Sequence, residues 1–315
     1  MQILLDNADF ASSMLQQVAN GLTKGSVYAL VAVGYTMVYG VLALINFAHS
    51  DVYMLGAYFA YYPARWLGYM PDSAEKPKAP FWLMGMAFLG AMAACALIGA
   101  LIERLAYRPL RNASRLAALI TAIGVSIFLQ NVGQMTFGAD PKSFPRYVDQ
   151  SSVNLGVISV GNTSILIIVV AFVMMAALHL FVQKTRTGAA MRACSHDMKT
   201  ARLMGINVDA TISITFALGS AMAAVGGILV AMDQPRLTPT MGLLMGLKAF
   251  VAAVLGGIGS IPGAALGGIL LGVAESLVGG LWDTTYAEAV SFVVLIVVLL
   301  VKPSGLLGKS GREKV

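Results

Sequence analysis

The chain has 315 residues, 58% of them hydrophobic and 11% charged, whereas a soluble globular domain carries about 25% charged residues. So little polar surface cannot cover a water-soluble core of this size, which excludes an ordinary soluble enzyme and points to a membrane protein. The net charge of +6 does not indicate nucleic acid, because the basic residues cluster beside the ends of apolar segments, as topology signals do, and no aromatic-and-basic groove pattern accompanies them.

Apolar runs of about twenty residues without strict alternation predict transmembrane helices, and the short alternating segments of a membrane β-barrel are missing from the sequence. The expected fold is all-α: a polytopic transmembrane bundle of eight to ten helices, some broken or short, forming one domain over residues 1–315. Cys95 and Cys194 have no metal-ligand or disulfide spacing and read as free thiols. The opening MQILLDNADF holds two aspartates and no positive charge, so it does not read as a cleaved secretory signal.

In chain order, residues 14–67 are nearly continuously apolar, long enough for two passes or three shorter ones, and are interrupted by glycines and by Asn46, His49, Ser50 and Asp51. A polar loop at 63–80 leads to an apolar run at 81–102. Arg104, Arg108, Arg111 and Arg115 follow against Glu103 alone, which marks a cytoplasmic loop. Apolar runs at 116–135 and 163–182 flank a polar loop at 136–162.

Next comes a polar island at 184–209, with Lys184, Arg186, Arg192, Lys199 and Arg202 against Asp197 and Asp209. Passes are expected at 212–232, within 241–281 and at 286–301. The long stretch 241–281 is split by GGIGSIPG at 256–263, a turn with glycines and a helix-ending proline. The tail adds Lys302, Lys309, Arg312 and Lys314 with Glu313. Placing the arginine loop, the island and the tail in the cytoplasm gathers most of the Lys and Arg there and makes the GGIGSIPG turn cytoplasmic too.

Charged and titratable groups at membrane depth cost about 2.5 to 3.5 kcal/mol each on insertion scales. His49 and Asp51, with Asn46, Ser50 and Tyr53 beside them, are therefore expected either to line a translocation path or to mark a helix break at the membrane surface, capped by Asn46 or Ser50 with Asp51 near a helix N-terminus. Glu275, inside an apolar run, is a further path candidate or an outer-interface residue. Gly259, Gly263 and Gly267, spaced by four, are expected to form a close helix-packing face, with Gly268 and Gly272 as a second pair.

Gly308, Lys309 and Ser310 resemble the end of a phosphate-binding loop, but Pro303 stands where that loop needs glycine and no strand precedes it. No catalytic triad, metal cluster or HExxH is present in the sequence, so the chain carries no evident machinery for hydrolysis of its own, and neither enzymatic activity nor a cofactor is expected on it. Within the island, Ser195 is expected to cap a nine-residue helix over 196–204, with Gly205 as its stop. Met198, Ala201 and Met204 would form its apolar side, and Lys199, Thr200 and Arg202 its polar side. At about 13 Å such a helix is too short to cross a membrane and needs a surface to lie on, either a cytoplasmic partner or the headgroups.

Four stretches carry a resemblance: GSVYALVAVGYTMVYGVLALINFAHSDVYMLGAY at 25–58, ERLAYRPLR at 103–111, ARLMGIN at 201–207 and FVAAVLGGIGSIPGA at 250–264. In this order and spacing they resemble the H-subunit permeases of bacterial high-affinity branched-chain amino-acid ABC transporters, over nearly the whole chain. The resemblance implies an inner-membrane, multi-pass permease with a cytoplasmic C-terminus, importing leucine, isoleucine or valine.

Implied partners are a second, homologous permease subunit, cytoplasmic ATP-binding subunits that hold the ATP and Mg, a periplasmic substrate-binding protein and membrane lipid. The resemblance also implies a coupling loop to the ATPase at about 184–211, around Ala201 to Asn207. Ser50 departs from the glycine more common in that family. Permeases of the same broad group also carry urea, short amides and other amino acids, and an ion-coupled secondary transporter using His49, Asp51 or Glu275 is the alternative from another class.

Overall fold

The computed structural model describes residues 2–42, 44, 46–69, 79–111, 113–149, 151–154, 156 and 158–308, with side chains from Phe10 onward except that of Arg115. The expectations for Lys309, Ser310, Arg312, Glu313, Lys314 and the Arg115 side chain fall outside these residues.

The apolar run at 14–67 forms two helices, α1 (Gln2–Leu42) and α2 (His49–Trp66). The run at 81–102 is α3 (Phe81–Ile102), which continues through a π turn at Glu103–Tyr107 and a 3₁₀ turn at Arg108–Leu110. α4 (Arg115–Phe137) starts where the Ser114 hydroxyl accepts from the Ala117 N–H and ends at Gly138, whose φ of 85° suits a residue without Cβ. The following loop holds three short strands, β1 (Lys142–Ser143), β2 (Ser152–Asn154) and β3 (Ser159–Gly161).

α5 (Asn162–Lys184) leads into α6 (Arg186–His196) and α7 (Met198–Leu203), and α8 (Val208–Asp233) crosses back to β4 (Arg236–Leu237). α9 (Met241–Gly256), α10 (Ile261–Leu281) and α11 (Thr284–Val301) complete the bundle. β1 pairs antiparallel with β4, and β2 with β3, so these strands only tie down loops.

Seven helices among the described residues are long and apolar enough to cross a membrane. With α2 and the shorter α9, both packed in the same bundle, the count agrees with the eight to ten expected. α1 and α8 form the centre, 89% and 78% buried over their most apolar windows, while α3, α4 and α5 are 28% buried and α11 6%. The peripheral helices present Leu and Ile outward, as a lipid-facing surface requires.

The glycines explain how the centre closes. A Cβ on Gly25 of α1 would stand 2.8 Å from the Ile269 backbone of α10, and one on Gly268 would overlap the Ala29 backbone. Gly263 and Gly267 lie on another face of α10, against the α9 backbone at Gly256 and Ala252. The expected packing ladder therefore holds for Gly263 and Gly267 but not for Gly259, which sits before α10 in the turn with φ 94° and open space around it. Its role is to turn the chain, since a residue with a Cβ is strained at that φ.

Both ends of the bundle are chemically marked. Leu306 N–H and Leu307 N–H bond the Leu255 and Gly256 carbonyls, so the segment after α11 packs on the GGIGSIPG turn. The Tyr107 hydroxyl donates to Asn46 Oδ1 at 2.8 Å, bringing the arginine loop to the α1–α2 break at this same end. At the opposite end lie the three tryptophans, Trp66, Trp82 and Trp282, each more than half exposed, as an aromatic interface belt.

Candidate translocation site

A cavity of about 480 Å³ penetrates the bundle from the tryptophan end, lined by residues of α1, α2, α5, α8, α9, α10 and α11. Its size falls in the range of about 300–1,000 Å³ typical of small-molecule sites. Lys248 lies seven residues into α9 from Met241, so its Cα is about 10 Å from that helix end.

At this depth Lys248 Nζ stands 3.1 Å from Glu275 Oε2, with the side chains 10% and 3% exposed. Tyr28 Oη donates to the same Glu275 oxygen at 2.8 Å, and the Ser291 hydroxyl bonds the other. One carboxylate thus joins α1, α9, α10 and α11. A charge buried in membrane is tolerable only when paired and hydrogen-bonded, and Glu275 has both. Glu275 is therefore a buried hub and not an outer-interface residue.

Nearer the mouth, the Ser276 hydroxyl donates to Gln17 Oε1 at 3.0 Å. Lys24, one helical turn before Tyr28 on α1, and Asp233, at the end of α8, are exposed and line the cavity. Tyr53 of α2 also lines it, fully buried from outside.

The other residues expected around the helix break are placed differently. Asn46, His49, Ser50 and Asp51 are buried, at 4%, 1%, 5% and 0% exposure, and none of them lines this cavity. Asn46 borders a smaller pocket beside Ile258 at the basic end. The His49 ring meets Tyr35 edge-on at 4.6 Å, and a Cβ on Gly34 would stand 2.6 Å from His49 Nε2. Asp51 Oδ1 accepts from Gln130 Nε2 at 3.0 Å, which tethers the peripheral α4.

Nor do Asn46 and Ser50 cap α2. Its N-cap is Ala48, without a side-chain bond, while the Ser50 hydroxyl turns back to the Phe47 carbonyl at 2.9 Å and Asn46 is engaged by Tyr107. The break lies inside the protein, where a tertiary partner satisfies Asn46 better than a local turn does.

At the basic end, the island forms two helices where one was expected. The Thr185 hydroxyl caps α6 by accepting from Gly188 N–H at 3.0 Å, and α6 runs through Ser195, whose hydroxyl donates to the Arg192 carbonyl. Asp197, not Ser195, caps the second helix: its Oδ1 accepts from Lys199 N–H at 2.8 Å and its Oδ2 from the Thr200 hydroxyl at 2.5 Å. These bonds to the ionised form, the Thr200 hydroxyl foremost, hold its carboxyl below the ordinary aspartate range.

α7 therefore spans six residues and stops before Gly205, at φ 81°. Ala201 is buried and Met198 half-buried, but Met204 is 78% exposed, so it does not share their inward side. Leu203, at 87% exposure, joins Met204 in an apolar tip flanked by exposed Lys199 and Arg202.

α7 packs against α8, whose start is braced. Arg111 bridges Glu103 and Asp209, Arg108 reaches Asp209 at 2.5 Å, and the Ser213 hydroxyl donates to Glu103 at 2.5 Å. The arginine loop and the start of α8 are locked together by these contacts. Sequence reasoning missed Lys248, Lys24, Asp233 and Leu203. Lys248 was findable, because it and Glu275 are the only charged residues in the apolar stretch 241–281.

A bundle that crosses a membrane several times, with a charged cavity entering from one end and braced basic loops at the other, defines a permease-type membrane protein. Residues 17–299 match the family described as branched-chain amino acid transport system, permease component. The chain belongs to that family.

The high-affinity branched-chain amino acid transport system permease protein LivH of Escherichia coli K12 is 47% identical over 96% of this chain and 97% of its own. The permease protein BraD of Pseudomonas aeruginosa is 47% identical over 96% of this chain and 98% of its own. A probable branched-chain amino acid permease LivH of Methanocaldococcus jannaschii is 28% identical over 97% and 95%.

Proposed function

We propose that this chain is the permease subunit of an ATP-driven importer of leucine, isoleucine and valine in a bacterial inner membrane. The observation that carries the reading is the 47% identity to branched-chain amino acid permeases, which extends over 96% of the chain and 97% of the relative. The positive-inside rule orients the arginine loop, α6, α7 and Lys302 toward the cytoplasm, and with them the C-terminus. The cavity then opens to the periplasm, where a substrate-binding protein would release its cargo.

ATP and Mg belong to partner ATPase subunits, and this chain binds no cofactor of its own. α6 and α7, at about 184–211, form the coupling loop, and the Leu203–Met204 tip with Lys199 and Arg202 is the surface offered to the ATPase. A second, homologous permease subunit completes the path, with lipid around both. ATP binding moves the pair only if the ATPase contacts differ between outward-open and inward-open states, and a braced platform transmits such a difference without being absorbed in loop motion.

Complementation tests the reading. A bacterium lacking its own branched-chain amino acid uptake, given this chain with its partner subunits, is expected to take up leucine in a way that stops on ATP depletion and survives an uncoupler. Uptake that follows the ion gradient instead would identify a secondary transporter.

A further inference from the structure

The cavity holds charges of two kinds. Those on its floor, Lys248 and Glu275, are already satisfied by each other, by Tyr28 and by Ser291. Those nearer the mouth, Lys24, Asp233, Arg236 and Glu288, are exposed, and none of them forms an ion pair among the described residues. A charge held at the edge of a low-dielectric bundle without an internal partner is available to a ligand of opposite sign.

Lys24 and Asp233 differ from the other two in their supports. They stand on α1 and α8, the two most buried of the seven long apolar helices, which pack against each other, and both line the same cavity. Arg236 sits on the short strand β4 and Glu288 on the peripheral α11. Groups on packed helices keep their spacing, which a binding site needs. Val27, Met241 and Leu244 add apolar lining to the same cavity.

We infer that this mouth is a binding site for a free amino-acid zwitterion inside the permease itself: Lys24 takes the α-carboxylate, Asp233 takes the α-ammonium, and the aliphatic side chain lies against Val27, Met241 and Leu244. This rests on the amino-acid importer reading. Two exposed charges give a site that captures cargo and releases it again, as conduction requires, while the satisfied floor below withholds a second tight site. The bound form discriminates the zwitterion from molecules with only one of its charges.

Thiol protection tests the inference on the complete transport complex carrying Met241→Cys. Cys95 and Cys194 are buried, so a membrane-impermeant thiol reagent should report the new cysteine. Leucine is expected to slow labelling, and Lys24→Gln or Asp233→Asn to raise the leucine concentration for half-protection about tenfold, the scale of a lost charge-assisted hydrogen bond.

Independently of those variants, leucinol, which lacks the carboxylate, and 4-methylpentanoate, which lacks the ammonium, should protect far less well than leucine. Absence of leucine protection, equal protection by all three compounds, or variants protected at the unchanged leucine concentration would overturn the site. If the same complex still takes up leucine, the importer reading survives that failure. If it takes up no branched-chain amino acid, the importer reading itself has failed.

Discussion

Lys248 of α9 and Glu275 of α10 meet at 3.1 Å across the bottom of the cavity, on opposite sides of the turn that splits the chain's long apolar stretch. The pair draws four helices together through Tyr28 and Ser291. Removing one partner leaves an uncompensated charge in a dry site. Lys248→Met or Glu275→Gln alone is therefore expected to destabilise the purified protein by about 3–5 kcal/mol. The double variant should recover part of that loss, and thermal unfolding in detergent measures the cycle. Additive single effects would show that the two residues do not act as a pair.

The platform at the basic end gives a second expectation. Arg111 neutralises Glu103, which is 0% exposed, and also holds Asp209. Arg111→Ala should cost about 3–5 kcal/mol, whereas Arg108→Ala, removing an exposed pair with Asp209, should cost no more than about 1 kcal/mol. Comparable losses for the two would contradict the burial difference.

Close packing of α1 on α10 can be probed at Gly268. A Cβ there overlaps the Ala29 backbone, so Gly268→Ala should destabilise by about 1–3 kcal/mol. Gly85→Ala in α3 meets nothing within 4 Å, and its stability should be unchanged or slightly raised.

Much of the bundle was legible because its helices are written as uninterrupted apolar runs. The run at 81–102 coincides with α3, and GGIGSIPG marks the turn before α10, capped by Ser260. Short-range ambiguity defeated the island. Ser195 and Asp197 are both cap residues two positions apart, and Asp197 prevails because its charged carboxylate accepts from both Lys199 and Thr200. Local sequence also could not show that Asn46 would be taken by Tyr107, 61 residues away. The cavity is assembled from helices distant in sequence, so Lys24 and Asp233 carried no joint signal.

α7 offers a pH-dependent expectation. Asp197 has its carboxyl pKa lowered in the folded state, so its capping contribution is fully present above the unfolded value of about 4 and is lost as pH falls through the lowered folded value. The ATPase association proposed for α7 should thus be insensitive to pH between about 6 and 8 on account of this residue. Asp197→Asn should retain most of the cap and Asp197→Ala should lose it. Co-purification of ATPase subunits across that pH range and with both variants gives the comparison.

Substitutions at the exposed tip test the proposed coupling role apart from folding. Leu203→Glu and Met204→Glu change side chains that are 87% and 78% exposed, so insertion and thermal stability should remain unchanged. Arg202→Glu should behave alike. Substrate-stimulated ATP hydrolysis by the complex is expected to fall by at least tenfold for Leu203→Glu. Wild-type hydrolysis in all three variants would remove α7 from the coupling surface.

Uptake of labelled leucine into proteoliposomes bears on the function as a whole. With this chain and its partner subunits in the bilayer, substrate-binding protein on the tryptophan side and ATP on the side of the basic loops, leucine should accumulate against its gradient. Accumulation should cease when ATP is withheld and persist when an uncoupler is added. Leucine accumulation by this chain alone, without ATP, would contradict its assignment as the permease of an ATP-driven importer.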